Sequence, residues 1–170
     1  NIDIVPKRWE DVDVERDLSG PYDVVIASFS LGMQDIRAAI EKMVQASSRY
    51  VYLYHFAGPS SWDRQWQSLW PKLHGRPYRP GPKSDVLHNV LYQMGVYPNV
   101  SVFRLEHSRP YGSLDEAVAD LAPQARAESE EQKAVLREYL RRALLEDGGI
   151  LVMPGSSVRE NMWWEKEAVK

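Results

Sequence analysis

Five groups of residues in this chain have the types and spacing to do chemistry. His55 carries an imidazole whose ordinary pKa lies near neutrality, which makes it a candidate proton acceptor or donor; the plain alternative is a structural hydrogen bond. Ser28-Phe29-Ser30-Leu31 follows an apolar run, and its small side chains let the main chain approach a bound molecule closely. The same residue types also cap helices. Trp9 beside Glu10 offers a flat indole face and a carboxylate acceptor, or else a staple over a sheet edge and a solvated charge. Trp62, Trp66 and Trp70, with Tyr92 and Tyr97, can roof a pocket for a planar or cationic acceptor, or simply pack. Arg76, Arg79 and Lys83 can attract an anion, although a solvated loop accounts for them as well.

Other chemistries lack their residues. The chain has no cysteine, hence no disulfide framework and no thiolate metal site, and this agrees with a cytoplasmic setting. His74, His88 and His107 show no zinc spacing and His-Glu-x-x-His is absent, so no metal is expected. Gly-x-Ser-x-Gly is absent too, and no Ser-His-acid set suggests covalent catalysis.

The elements that must position these residues read as an open α/β sheet. Tyr22 to Leu31 is an apolar run leading into small polar residues, the way a buried parallel strand ends at a ligand crevice. Ile36, Ala39, Ile40 and Met43 follow at helical spacing, and Tyr50 to Phe56 is a second strand. Strand, helix, strand is a βαβ unit, whose ligands bind beyond the carboxyl ends of the strands. That rule selects the segments after Val5, Ile26 and Tyr54.

Further along, Ser61 caps a helix carrying the tryptophans, with Pro71 as its stop, and the proline- and glycine-rich stretch from Pro71 to Pro82 is a loop. A helix capped by Ser84 runs to about Met94 and stops at Gly95. Val100 to Leu105 is a strand. Ser113 and Glu116 form a capping box for a helix ending near Pro123. The spacing of Val135, Leu136, Tyr139, Leu140, Ala143 and Leu144 predicts a helix from about Ser129 to Leu145, ended by Gly148-Gly149. Ile150 to Met153 is expected as a last strand, with Trp163 and Trp164 in a further one.

With 170 residues, 44% hydrophobic and 26% charged, the chain suits a single α/β domain with one core, its helical and loop insertion at about 59–95. A net charge of −3 gives no basic field for nucleic acid, and no apolar run is long enough to span a bilayer.

Asp3-Ile4-Val5 with Trp9-Glu10-Asp11-Val12, then Tyr22 to Leu31, then a helix and Tyr50-Val51-Tyr52-Leu53-Tyr54, resembles the second half of a class I (Rossmann-like) S-adenosylmethionine-dependent methyltransferase. The resemblance implies that these segments are strands three, four and five of that family. It also implies a mostly parallel sheet, closed by a C-terminal antiparallel hairpin and lacking the family's first two strands. The cofactor implied is S-adenosylmethionine. Trp9 and Glu10 would edge its adenine, and Ser28, Phe29, Ser30 and Leu31 would pass under its methionine end. His55 would serve catalysis, and Trp62, Trp66 and Tyr92 would contact a small-molecule acceptor.

The family's glycine-rich loop and the acidic residue that holds the ribose have no counterpart here. The chain is therefore expected to be the C-terminal portion of a longer protein, inactive alone. Its strand edge at residues 23 to 27 would be covered by the missing N-terminal segment, by a second copy in a homo-oligomer, or by a rearranged sheet. Two other classes stay open: a protein-interaction domain on a methyltransferase-like sheet, and another doubly wound enzyme such as a nucleotide-binding oxidoreductase.

Overall fold

The computed structural model describes residues 2–166. After a 3₁₀ turn at Trp9–Asp11, the elements run α1 (Val14–Asp17), β1 (Tyr22–Ser28), α2 (Ile36–Ala46), β2 (Ser47–Phe56), α3 (Ser61–His74) and α4 (Ser84–Gln93). They continue as β3 (Asn99–Tyr111), α5 (Leu114–Ala125), α6 (Glu130–Ala143), β4 (Leu145–Asp147) and β5 (Ile150–Glu165). The strand order is β1-β2-β5-β3, with β4 also beside β5. The chain divides into two compact units, Asn1–Ala57 with Pro82–Phe103 and Arg159–Lys170, and Gly58–Gly81 with Arg104–Val158.

In the first unit the predicted βαβ arrangement forms. β1 and β2 are parallel, with Val25 opposite Val51 and Ala27 opposite Leu53. The Asp35 side chain caps α2 by accepting from Ala38 N, and Ala39, Ile40 and Met43 turn inward. The end of β5 runs antiparallel to β2, with Leu53 opposite Met162 and Val51 opposite Trp164. Register partners share a face, so Val25, Ala27, Val51, Leu53, Met162 and Trp164 form one apolar surface. Leu87 and Leu91 of α4 and Ile40 and Met43 of α2 pack into the same core.

Two expectations need correction here. The sheet is mixed and not mostly parallel, since β2–β5 and β4–β5 are antiparallel. Residues 3–5 form no strand. Pro6 has no amide hydrogen to offer a ladder, Lys7 N turns back onto Val5 O at 2.8 Å, and Ile2 and Ile4 stay exposed. β1 therefore ends the sheet order, and its outer edge has no strand partner among the described residues.

The second unit is built around α3, α5 and α6, whose Leu69, Leu73, Leu121, Ala125, Leu136 and Leu140 share a core. The cap of α3 is Ser60, one residue earlier than expected, in a reciprocal box with Asp63. Pro71 does not stop this helix, which continues to His74 and closes on Gly75 at φ +66°. The proline removes a hydrogen bond to the Gln67 carbonyl on the exposed face, where water can replace it, while Trp66, Leu69 and Leu73 hold the buried face. α5 likewise carries Pro123 inside and ends two residues later. Burial, with a hydrogen bond donated to Asp120, pushes the Tyr111 hydroxyl up to about 12.

α6 begins on the capping box of Ser129 and Gln132 but ends at Ala143. Leu145–Asp147 then forms β4, joined to β5 through Gly148 and Gly149 at φ +57° and +85°. The expected last strand at 150–153 and the further strand at 163–164 are one strand of 16 residues.

Candidate functional site

β1 ends at Ser28, and the chain does not enter the next helix until Asp35. Helix capping is therefore not what Ser28 and Ser30 do, because Asp35 does it. Phe29 instead makes a sharp turn at φ +52°, a left-handed conformation that costs a phenylalanine about 1–2 kcal/mol. The turn is held by Phe29 N donating to Tyr54 O at 3.0 Å, across to the end of β2. The loop that follows is thus fixed at its start to the carboxyl ends of two parallel strands, where α/β sheets bind ligands.

Beside this loop lies a cavity of about 510 Å³, walled by Ile26 and Ala27 of β1, Ser30 and Met33 of the loop, and Trp9 and Glu10. The Trp9–Asp11 turn is locked onto α2. The Trp9 indole Nε1 donates to Ala39 O at 3.0 Å, and Lys42 Nζ donates to the carbonyls of Trp9, Glu10 and Val12 at 2.9, 2.9 and 2.7 Å. Three carbonyls on one ammonium hold this turn in place. Trp9 is thus a staple and a cavity wall at once: its N–H is spent on α2, Lys42 Nζ lies 5.8 Å from its ring centroid, and the ring lines the cavity. Glu10 is exposed at the rim.

Of the six residues expected around a cofactor, Trp9, Glu10 and Ser30 come together on this cavity, and the other three do not line it. Leu31 is buried in the core of the first unit. Ser28 is exposed at the end of β1, level with Tyr54. The Phe29 ring turns toward Phe56, 5.0 Å between centroids, beneath the Arg159 guanidinium.

His55 ends β2 with its Nε2 3.1 Å from the Pro82 carbonyl. A carbonyl only accepts, so Nε2 is the donor in this hydrogen bond. Nδ1 is buried and has no protein partner. Opposite His55 on β5 stands Glu160, only 5% exposed. Its carboxylate accepts from the Ser84 hydroxyl at 2.5 Å and makes a short hydrogen bond with His88 Nε2. Ser84 is therefore not the cap of α4; Lys83 occupies that position and Ser84 ties the helix start to β5. Glu160 also lies by the amino end of α4, where a negative charge is favoured.

The aromatic residues expected around an acceptor are divided between the units, Trp62 and Trp66 in the second and Tyr92 in the first. Trp66 is buried in the core of the second unit, edge-on to Trp62 at 4.8 Å and to Trp70 at 6.1 Å, so its environment is that of packing. Tyr92 belongs to the first unit, 69% exposed and edge-on to Tyr97. Reading the sequence missed Glu160, Arg159 and the Ser84 link. The available signal was the alternation Glu160, Met162, Trp164, which places an acid on the buried face of a strand.

Among the described residues no three His, Asp or Glu side chains converge as a metal site would require, and no helix is long and apolar enough to cross a membrane. No family model matches the chain, and no curated protein matches it. Among solved structures the chain is similar to a protein from Bacillus halodurans described as a putative methyltransferase, with a TM-score of 0.47 and 12% sequence identity over 91% of this chain and 69% of that one.

Proposed function

We propose that this chain forms part of an S-adenosylmethionine-dependent methyltransferase acting on a small-molecule acceptor. The observation that carries this reading is the cavity of about 510 Å³ at the carboxyl end of β1, with Trp9, Glu10 and Ser30 on its walls. Its volume falls within the roughly 300–1,000 Å³ of small-molecule sites. The donor set suits an adenosyl group: an indole face for a purine, a carboxylate acceptor beside it, and Ser30 and Gly32 where the main chain must come close.

When bound, the cofactor supplies a methyl group already activated on a sulfonium. The chain's own work is then to hold and orient. Trp9 stacks, with Lys42 and the Ala39 carbonyl keeping it from rotating away. Ser30 lets the loop approach, and the Phe29 turn fixes that loop against β2. Where the acceptor must lose a proton, His55 at the end of β2 is the residue proposed to take it.

Calorimetric titration of the protein as its source makes it, with S-adenosylmethionine and S-adenosylhomocysteine, tests the reading. Competitive binding of both is expected, weakened about tenfold or more in Trp9→Ala by loss of the stacking face. Binding of neither ligand overturns it. In that event a protein-interaction domain becomes the better reading, and it has its own observation: Val24 and Ile26 stand exposed on a sheet face that no described helix of this unit covers.

A further inference from the structure

The strand order ends on β1 at one side, 7 residues long, and on β3 at the other, 13 residues long. The outer edge of β3 has no strand partner among the described residues. From Asn99 to Pro110 every residue of this strand is exposed, so side chains on both of its faces reach solvent. Proteins blunt such edges with lysine, with proline or by covering them. β3 has no lysine, and its one proline, Pro110, stands next to its last residue. The centre of the strand is Arg104, Leu105 and Glu106, all of the second unit. Arg104 and Glu106 are two residues apart and therefore on one face. Both are exposed, and neither makes an ion pair or a hydrogen bond among the described residues. Arg109, the other arginine of the strand, is paired with Asp120.

We infer from this pattern that β3 is an interface for a second copy of this chain, the two strands pairing antiparallel about a twofold axis at Leu105. The inference is independent of the methyltransferase reading. A twofold perpendicular to the sheet leaves every side chain on its own face, and residues opposite one another in a ladder share a face. The two strands can therefore slip only in steps of two residues. With the axis at Leu105, Arg104 of each copy stands opposite Glu106 of the other, which makes two opposite-charge pairs. A slip of two residues in either direction moves the axis to Arg104 or to Glu106 and sets like charges face to face. Opposite charges across strands stabilise a sheet and like charges destabilise it, so the charges select the register centred on Leu105. That pairing gives the unpaired edge its backbone hydrogen-bond partners. Because both copies present the same patch, the contact closes as a dimer. A strand that complements itself in this way fits its own copy.

Sedimentation velocity on the whole chain, over a concentration series up to its solubility limit, tests the interface. The wild type should dimerise. Arg104→Glu makes both pairs across the axis acidic and Glu106→Arg makes both basic, so each variant should raise the dimer dissociation constant about tenfold or more. Mixed with one another, the two variants regain opposite charges at both pairs, and a heterodimer of near wild-type affinity should form. That recovery also shows that both variants are folded. The double variant Arg104→Glu/Glu106→Arg should dimerise like the wild type for the same reason. A wild type that stays monomeric throughout overturns the inference. So does a dimer that both single variants leave intact, or one that mixing them fails to restore. Loss of the dimer in Ile26→Ser, with the β3 variants still dimeric, would put the second copy at β1 and overturn it as well.

Discussion

The two faces of the first unit's sheet are built from alternate residues of the same three strands and have opposite fates. On one face Val25, Ala27, Val51, Leu53, Met162 and Trp164 meet α2 and α4, and Leu53 is 0% exposed. On the other, the rows Val24·Tyr50·Glu165, Ile26·Tyr52·Trp163 and Ser28·Tyr54·Asn161 carry no helix of this unit, and none of their apolar members joins its core. Val24 is 43% and Ile26 61% exposed. The tyrosines and Trp163 shield one another instead, Tyr52 lying stacked on Trp163 at 5.8 Å. Side chains with a period of two make both faces apolar in sequence; only the helices decide which becomes core. Sheets with parallel strands are ordinarily covered on both sides, and the exposed Val24 and Ile26 depart from that pattern.

The largest expected effect contrasts the two faces directly. Leu53→Ala should destabilise the protein by about 2–5 kcal/mol in urea unfolding, because it opens a cavity beneath α4. Tyr52, its neighbour in sequence, points the other way, and Tyr52→Ala should cost well under half as much. Equal losses from the two would mean that the bare face is covered in solution.

Next in size is the polar anchor of the covered face. Glu160 is buried, accepts from Ser84 and bonds to His88, so Glu160→Gln should cost about 1–3 kcal/mol through hydrogen bonds lost or misdirected. Ser84→Ala should give a smaller loss, and the double variant should cost less than the two together, because the partners are shared. Additive losses would show that the hydroxyl and the carboxylate do not act as a pair.

The contrast between faces also explains what could be read from the sequence. The helices at 36–46, 84–93 and 130–143 were legible because each repeats apolar residues on one face, a signal that stays within a few turns. The parallel pair was legible from two apolar runs around one such helix. β5 was not, because Pro154-Gly155 looks like a break in mid-strand. Gly155 belongs there for a tertiary reason: a Cβ at that position would collide with the His107 imidazole on β3. The strand attempted at residues 3–5 had the right composition but no partner to pair with. At the site, Trp9, Glu10 and Ser30 lie next to the ends of local elements and were found. Arg159 and Glu160 reach the same end of the sheet through pairings across many residues, such as Phe56 with Arg159, and no spacing in the sequence encodes those.

The smallest expected effect on stability is the most telling about the bare face. Ile26→Ser removes an exposed apolar side chain from the edge strand, so unfolding free energy should change by no more than about 0.5 kcal/mol. Its effect should be on association instead. An unpaired strand edge beside an apolar face favours adding another strand or packing against another molecule. Sedimentation velocity across a concentration series should show the wild-type chain associating more than Ile26→Ser, and a dye that reports apolar surface should bind the wild type more strongly. If Ile26→Ser destabilises the chain by more than about 1 kcal/mol, Ile26 is part of a packed interior and the two faces are alike after all. A small stability change with association reduced would instead mean that the uncovered face behaves as a docking surface, which divides the sheet between a face that folds the unit and a face that recruits a partner.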